Sequence, residues 1–427
     1  MFWEKEGKLI YSYDGETVCI EAWGKDALRV RATKNRSFTG RDWALEAKDA
    51  HAGEVEIFED PSAKGGAFAN MYEGTDTSYG KITNGKLHAV IDSGSVITFY
   101  HEDGRVLLKE HFRRLRDEES MPLNIMGREY SNGVGDNFRI VARFVARKGE
   151  KIFGMGQYQQ HELDLKGCML ELAQRNSQVS VPFYLSNIGY GFLWNNPGVG
   201  QVMFANNGTE WVTESGKEID YLVIAGDTPA EIEENYMTLT GKPPMMPEYG
   251  MGFWQCKLRY WNQEQLLSVA RKYKELGVPL DVIVVDFFHW TKQGEFKFDP
   301  KYWPDVPGMC RELKEMGIQV VVSVWPTVDI YSENFEEMKE KGYLVRTEHG
   351  VPLTMLCGGN EVFFDATNPD ARTYVWEKIK KNYYDQGAKL FWLDVAEPEY
   401  SVYDFKNYRY QLGSVQEVGN IYPKYYL

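Results

Sequence analysis

The sequence predicts a multidomain chain, β then α/β: an N-terminal antiparallel β-sandwich followed by an incomplete (β/α)8 barrel. Three observations carry this. The first half alternates apolar and polar residues in short runs separated by Asn-Gly and Asp-Gly turns. A proline-rich break follows, "KPPMMPEYG". After it, strands apolar on both faces alternate with amphipathic helices that stop at glycine, which is the pattern of a parallel sheet covered by helices.

In order along the chain, "ETVCIEAWGKDALRVRATK" reads as two strands around a Gly-Lys-Asp turn, with Leu28, Val30 and Ala32 on one face of the second. Next, "KITNGKLHAVIDSGSVITFYHEDGRVLLKE" reads as a meander turning at Asn84-Gly85, Asp92-Ser93-Gly94 and Asp103-Gly104. The β pattern continues through "VPFYLSNIGYGFLWNNPG" to about Ile224. Gly154-Met155-Gly156 lacks the strand, loop and helix context of a phosphate loop. A helix, "TPAEIEENYMTLTG", leads into the proline-rich stretch. The sandwich is therefore assigned to 1–226, the helix and linker to 227–248, and the barrel segment to 249–427.

Within the barrel segment, a helix over 262–277 opens with Asn262 as cap and Gln265 three residues on. It carries Leu266, Val269, Ala270, Tyr273 and Leu276 on one face. Strands follow Gly277, Gly317 and Gly387: "VIVVD", "VVVSVW" and "LFWLD". The helix before the last strand opens at Asn368-Pro369 and carries Val375, Ile379 and Tyr383 inward. Roughly four strand-helix units can be placed, and Pro247–Leu427 falls short of the roughly 250 residues of a complete barrel.

Composition bounds the partners. A net charge of −14 argues against nucleic acid and against an anionic membrane surface, and no apolar run approaches a membrane span. The amino terminus lacks a signal core, so a cytoplasmic protein is expected. Five dispersed cysteines and seven scattered histidines show neither disulfide nor metal-ligand spacing, and no cofactor is called for. Twelve tryptophans and 27 tyrosines suit sugar rings, which stack on aromatics.

Active sites of such barrels lie at the carboxyl ends of the strands. Asp286, Trp325 and Asp394 stand at three of those ends. Singly, an aspartate there commonly caps a turn and a tryptophan is commonly core; three at equivalent positions point to a site. Two carboxylates across a neutral, aromatic mouth is a glycosidase layout.

At this point the residues resemble a family. "FWLDVAEPE" looks like the nucleophile segment of glycoside hydrolase family 31, with its Trp-x-Asp-x-x-Glu-Pro pattern. "FGMGQYQQHELDLKG" and "LAQRNSQVSVPFYLSNIGYGFLWNN" look like that family's sandwich segments, "VIVVDFFHW" and "VVVSVWPTV" like its second- and third-strand motifs. The likeness spans nearly the whole chain and is nearest the α-xylosidases, notably in "YDFKNYRYQLGSVQEVGNIYPKYY". It implies a galactose-mutarotase-like sandwich, Asp394 as nucleophile, Trp392 as a wall of the sugar site, Asp286 and Trp325 as sugar-binding residues, and Glu397 as an orienting neighbour. Asn176 is the candidate from a sandwich loop. Some family α-xylosidases carry lysine where this chain has Trp392, as many α-glucosidases do.

The resemblance implies a retaining hydrolase acting on α-xylosides or other oligosaccharides, with α-glucosidase as the alternative; a homo-oligomer is compatible with it. The family's acid/base aspartate comes from a Trp-Ser-Gly-Asp-like segment downstream of the nucleophile, and no such segment occurs in Val395–Leu427. The expectation is a carboxy-terminally truncated glycosidase, inactive alone. Two other classes remain open: a non-catalytic carbohydrate-binding or split-enzyme component, and a metal-dependent barrel using Asp286, Asp394 and Glu397 as ligands.

Overall fold

A computed structural model describes residues 1–46, 49–59, 78–92, 94–115 and 123–427, which form two compact units. One comprises Met1–Ala173 and Ser177–Pro243, the other Gln174–Asn176 and Pro244–Leu427.

In the first unit a nine-stranded antiparallel sheet accompanies two five-stranded sheets. The predicted hairpin forms between Glu16–Trp23 and Ala27–Thr33. Leu28, Val30 and Ala32 enter a core that also takes Ile82, Ala89 and Phe99 from one five-stranded sheet and Ile140, Phe204 and Trp211 from the other. The larger sheet thus covers both smaller ones, as a sandwich requires. The meander is present as Ser78–Asn84, Leu87–Ile91, Ile97–His101 and Val106–Lys109 paired in succession. Its middle turn includes Ser93, which lies outside the described residues.

The other face of the large sheet, with Leu193, Leu222 and Ile224, packs Ile232 and Leu239 of the helix Pro229–Thr240. Thr228 caps this helix by accepting from the Glu231 N–H. Inside the sandwich Arg128 is buried between Glu16, at 2.9 Å, and Glu110, and donates to Ser95 Oγ at 2.6 Å.

The second unit is built on four parallel strands, Trp254–Gln255, Val282–Val285, Gln319–Val324 and Leu390–Leu393, adjacent in that order. This is half the strand number of a closed (β/α)8 barrel. The helices Gln263–Glu275, Val306–Glu315 and Pro369–Ile379 intervene. Asn262 Oδ1 accepts from Gln265 N–H at 2.9 Å, while Gln265 Oε1 accepts from Trp261 N–H at 2.7 Å, closing the first helix's start reciprocally. Gly277, Gly317 and Gly387 all take positive φ, where a side chain would be strained, and they end their helical segments.

Leu276 departs from the expected inward face. It is the C-cap residue, beyond the last helical turn, and is 63% exposed, whereas Leu266, Leu267 and Ala270 are buried. Between the third strand and the helix at Pro369 the chain adds a three-stranded antiparallel sheet, Thr327–Asp329, Asn360–Phe363 and Met355–Leu356. Among the described residues no helix is long and apolar enough to cross a membrane.

Candidate active site

The register of the parallel strands decides which side chains converge. Trp254 pairs with Val282, Val282 with Gln319, and Val321 with Leu390. Paired residues point to the same side and alternate along each strand. Val282, Val284, Val321 and Leu390 accordingly cluster on one face. Phe391 points the opposite way, its ring against Trp376 and Tyr383 on the helical side. Extending the first face past each strand end reaches Cys256, Asp286, Trp325 and Asp394, with Trp392 two residues before Asp394. The second unit therefore gathers four of the expected residues, Asp286, Trp325, Trp392 and Asp394, on one face of the sheet near its carboxyl edge.

Both carboxylates are held at two oxygens. Asp394 Oδ2 accepts from the Trp325 indole N–H at 3.1 Å and Oδ1 accepts from the Val395 N–H at 2.9 Å. Val395 has φ 59°, a conformation costly for a β-branched residue, and this turn directs its N–H back onto the carboxylate. Asp286 Oδ1 accepts from the Phe287 N–H at 2.8 Å, and Cys256 Sγ lies 3.6 Å from Oδ2. Burial, with the Asp286 charge adding, pushes the Cys256 thiol up to about 11, so it faces Asp286 as a protonated donor.

Behind Asp286, the buried His289 ring bonds its backbone. Nδ1 lies 3.0 Å from the Asp286 carbonyl and Nε2 2.9 Å from the Tyr383 hydroxyl. A carbonyl only accepts, so Nδ1 carries the proton and Nε2 accepts from Tyr383. Burial lowers this histidine's pKa to about 4, and the ring stays neutral at physiological pH.

Glu397 is partly buried close enough to Asp394 to feel its charge. Burial raises its pKa first, with the Asp394 and Glu399 charges adding. Trp392 is 48% exposed, presenting an open aromatic surface beside Asp394. Asn176 stands off the sheet. Its backbone N–H donates to the Tyr403 hydroxyl at 2.9 Å, and the neighbouring Arg175 guanidinium stacks 4.4 Å from the Tyr403 ring centroid. Asp286, Asp394 and Glu397 do not form a metal-binding group: among the described residues no cluster of three or more His, Cys, Asp or Glu is arranged for one.

Sequence reasoning missed Cys256, His289 and Tyr426, whose hydroxyl donates to the Val324 carbonyl at 2.8 Å. Cys256 could have been found from its place two residues past Trp254 on an inward face. The other two carry no local signal.

Residues 243–427 match the glycosyl hydrolases family 31 TIM-barrel domain, and residues 17–202 match the glycosyl hydrolase 31 N-terminal galactose mutarotase-like domain. The chain belongs to glycosyl hydrolase family 31. This family 31 chain is 45% identical over 432 residues to a protein named uncharacterized family 31 glucosidase ORF2 of Pseudescherichia vulneris, spanning 99% of this chain and 78% of that one. It is 30% identical to alpha-xylosidase A of Aspergillus niger, spanning 96% of this chain and 58% of that one. A crystal structure of a family 31 alpha-xylosidase from a soil metagenome, complexed with xylose, superposes with a TM-score of 0.92 at 50% identity, over 100% of this chain and 62% of that one. The family 31 chain thus spans about three fifths of the length of the two alpha-xylosidases.

Proposed function

We propose that this chain carries the nucleophile half of a retaining α-glycosidase site whose substrates are α-xylosides. The observation that carries the reading is the Asp394 carboxylate, fixed by Trp325 and Val395 beside the open face of Trp392. Held at both oxygens, it is preorganised to attack an anomeric carbon, so little reorganisation accompanies ester formation. Asp286, fixed by Phe287 and Cys256, accepts from substrate hydroxyls, and Glu397 orients the turn after the nucleophile.

A retaining mechanism also needs a proton donor about 5–5.5 Å from the nucleophile, across the scissile bond. Glu397 follows Asp394 too closely for that role, and the strand carrying Trp325 lies between those of Asp286 and Asp394. The acid/base carboxyl is therefore assigned to polypeptide outside Met1–Leu427, whether continuous with it or separate. Xylose as the sugar is supported by the relatives named alpha-xylosidase and by the xylose held in the metagenomic enzyme. An α-glucosidase is the second reading, favoured by Trp392 at a position where some α-xylosidases carry lysine and by the 45% identical relative named a glucosidase.

Aryl α-xyloside and aryl α-glucoside, offered to the chain alone and mixed with a carboxy-terminal family 31 fragment, test this. Turnover of the xyloside only in the mixture is expected. Turnover by the chain alone contradicts the missing acid/base, and preference for the glucoside contradicts the sugar.

A further inference from the structure

A cavity of about 510 Å³ opens in the second unit, and none of Asp286, Trp325, Trp392 and Asp394 lines it. It lies between the loop that follows the second parallel strand and the helical segment that carries Tyr383. Its volume falls in the roughly 300–1,000 Å³ range of small-molecule pockets. Pro300, Pro304 and Pro307 supply a stiff apolar wall that offers no backbone N–H donor. Asn382 joins the lining from Lys380–Tyr384, a single π-helical turn of the kind that recurs at functional sites.

The charged part of the lining is short of a partner. Glu295 is 6% exposed, and its Oε2 is buried without a hydrogen bond. Lys297 Nζ lies 3.5 Å from that oxygen and is committed to Glu333 Oε2 at 2.7 Å. Two carboxylates thus share one ammonium, which leaves an excess negative charge where little water reaches. A buried acceptor in this condition is costly unless a donor satisfies it.

The lining selects among donors. An anion meets the Glu295 charge and finds Lys297 already shared. A metal ion lacks ligands, since among the described residues no group of three or more His, Cys, Asp or Glu is arranged for one. A sugar ring needs an open aromatic face, and the aromatic rings of the lining, Phe298 and Trp303, are only 7% and 3% exposed. A compact organic cation meets each condition, because its N–H groups satisfy the carboxylate by charge-assisted hydrogen bonds and its apolar body covers the prolines. We propose that this cavity binds a small organic ammonium ion, its N–H groups donating to Glu295 and its apolar body resting on Pro300, Pro304 and Pro307. The occupant sits one ring behind the sheet face that carries Asp286: the Phe298 ring packs 4.9 Å from His289 and 5.2 Å from Tyr383, the pair that holds the Asp286 backbone. The site is independent of the role of Asp394.

The probe is benzylammonium, with benzyl alcohol as its uncharged counterpart of similar shape, each titrated into the full chain and followed by ligand-observed NMR and calorimetry. Benzylammonium should bind at about 1 mM, as suits so few atoms. Benzyl alcohol should bind at least about 10-fold more weakly, because the charge-assisted hydrogen bond is missing. Glu295→Gln should weaken benzylammonium about 10-fold and leave benzyl alcohol unchanged. Asn382→Lys, which brings a cation to the half-buried rim, should do the same and stands in if a thermal melt shows that the first variant does not fold. Ammonium ions also pair with carboxylates at a barrel mouth, so Asp394→Asn is the control, and benzylammonium affinity should be unchanged in it. Equal affinity of the wild type for the two probes overturns the proposal, as does the absence of saturable benzylammonium binding. Undiminished binding in a folded Glu295→Gln or Asn382→Lys variant, or loss of binding in Asp394→Asn, overturns it too. None of these results bears on the nucleophile reading.

Discussion

His289 makes the stability of this chain depend on pH with a sign and size that follow from its surroundings. Its ring is buried against Phe298, Trp290 and Tyr383, with both nitrogens occupied. The pKa falls from the ordinary 6.5 to about 4 because burial disfavours the cation. Between those values the unfolded chain binds a proton that the folded chain refuses, so stability falls as pH falls. At 1.36 kcal/mol per pH unit the full effect is about 3 kcal/mol, present above pH 6.5 and lost by about pH 4. Urea titrations of the wild type and of His289→Asn, from pH 7.5 down to 4, isolate it. The buried carboxyls Glu361, Asp365 and Glu397, whose pKa values are raised mainly by burial, titrate in both proteins and cancel in the difference. The wild-type advantage should shrink by about 3 kcal/mol across that range. A difference constant with pH would show that the ring is not held neutral by burial.

Three further outcomes follow from single contacts. Trp325→Phe removes the indole donor to Asp394 and should slow labelling of that residue by an activated xylosyl donor about 10-fold or more, as loss of a hydrogen bond to a charged group implies. Arg128→Leu leaves Glu16 and Glu110 buried without their cation and should cost about 3–5 kcal/mol of stability in a thermal melt; a loss below about 1 kcal/mol would mean those carboxyls are neutral. Asn262→Ala deletes an N-cap and should cost about 1 kcal/mol, read by the same melt.

The helices Gln263–Glu275, Val306–Glu315 and Pro369–Ile379 and the parallel strands that follow them were legible because each helix-strand pair carries two independent signals, an apolar run or stripe and a glycine at positive φ between them; the two-residue strand Trp254–Gln255 and the short helix Phe335–Glu340 were not. The placement of Asp286, Trp325 and Asp394 was legible for the same reason. A buried strand that ends in a polar or aromatic residue marks the sheet's carboxyl edge, and parallel register brings those ends together. The inserted sheet holding Asp329 and Glu361 was not legible, since strands of two to four residues have no period to read. Neither was His289, whose role depends on Tyr383, distant in sequence and reached only through the helix that ends near it. In the sandwich, the hairpin at Gly24-Lys25-Asp26 followed from turn chemistry. The pairing of Ala27–Thr33 with Ile219–Ala225, distant along the chain, did not.

Asp394 as the attacking carboxylate is tested most directly by covalent capture. Incubation with 5-fluoro-α-xylosyl fluoride, whose leaving group needs little proton assistance, followed by proteolysis and mass spectrometry, should place one fluoroxylosyl group on the peptide containing Asp394 and none on Asp394→Asn. A label on Asp286 or Glu397 would contradict the assignment. So would an unlabelled Asp394 in a mixture with the carboxy-terminal fragment that turns over aryl α-xyloside.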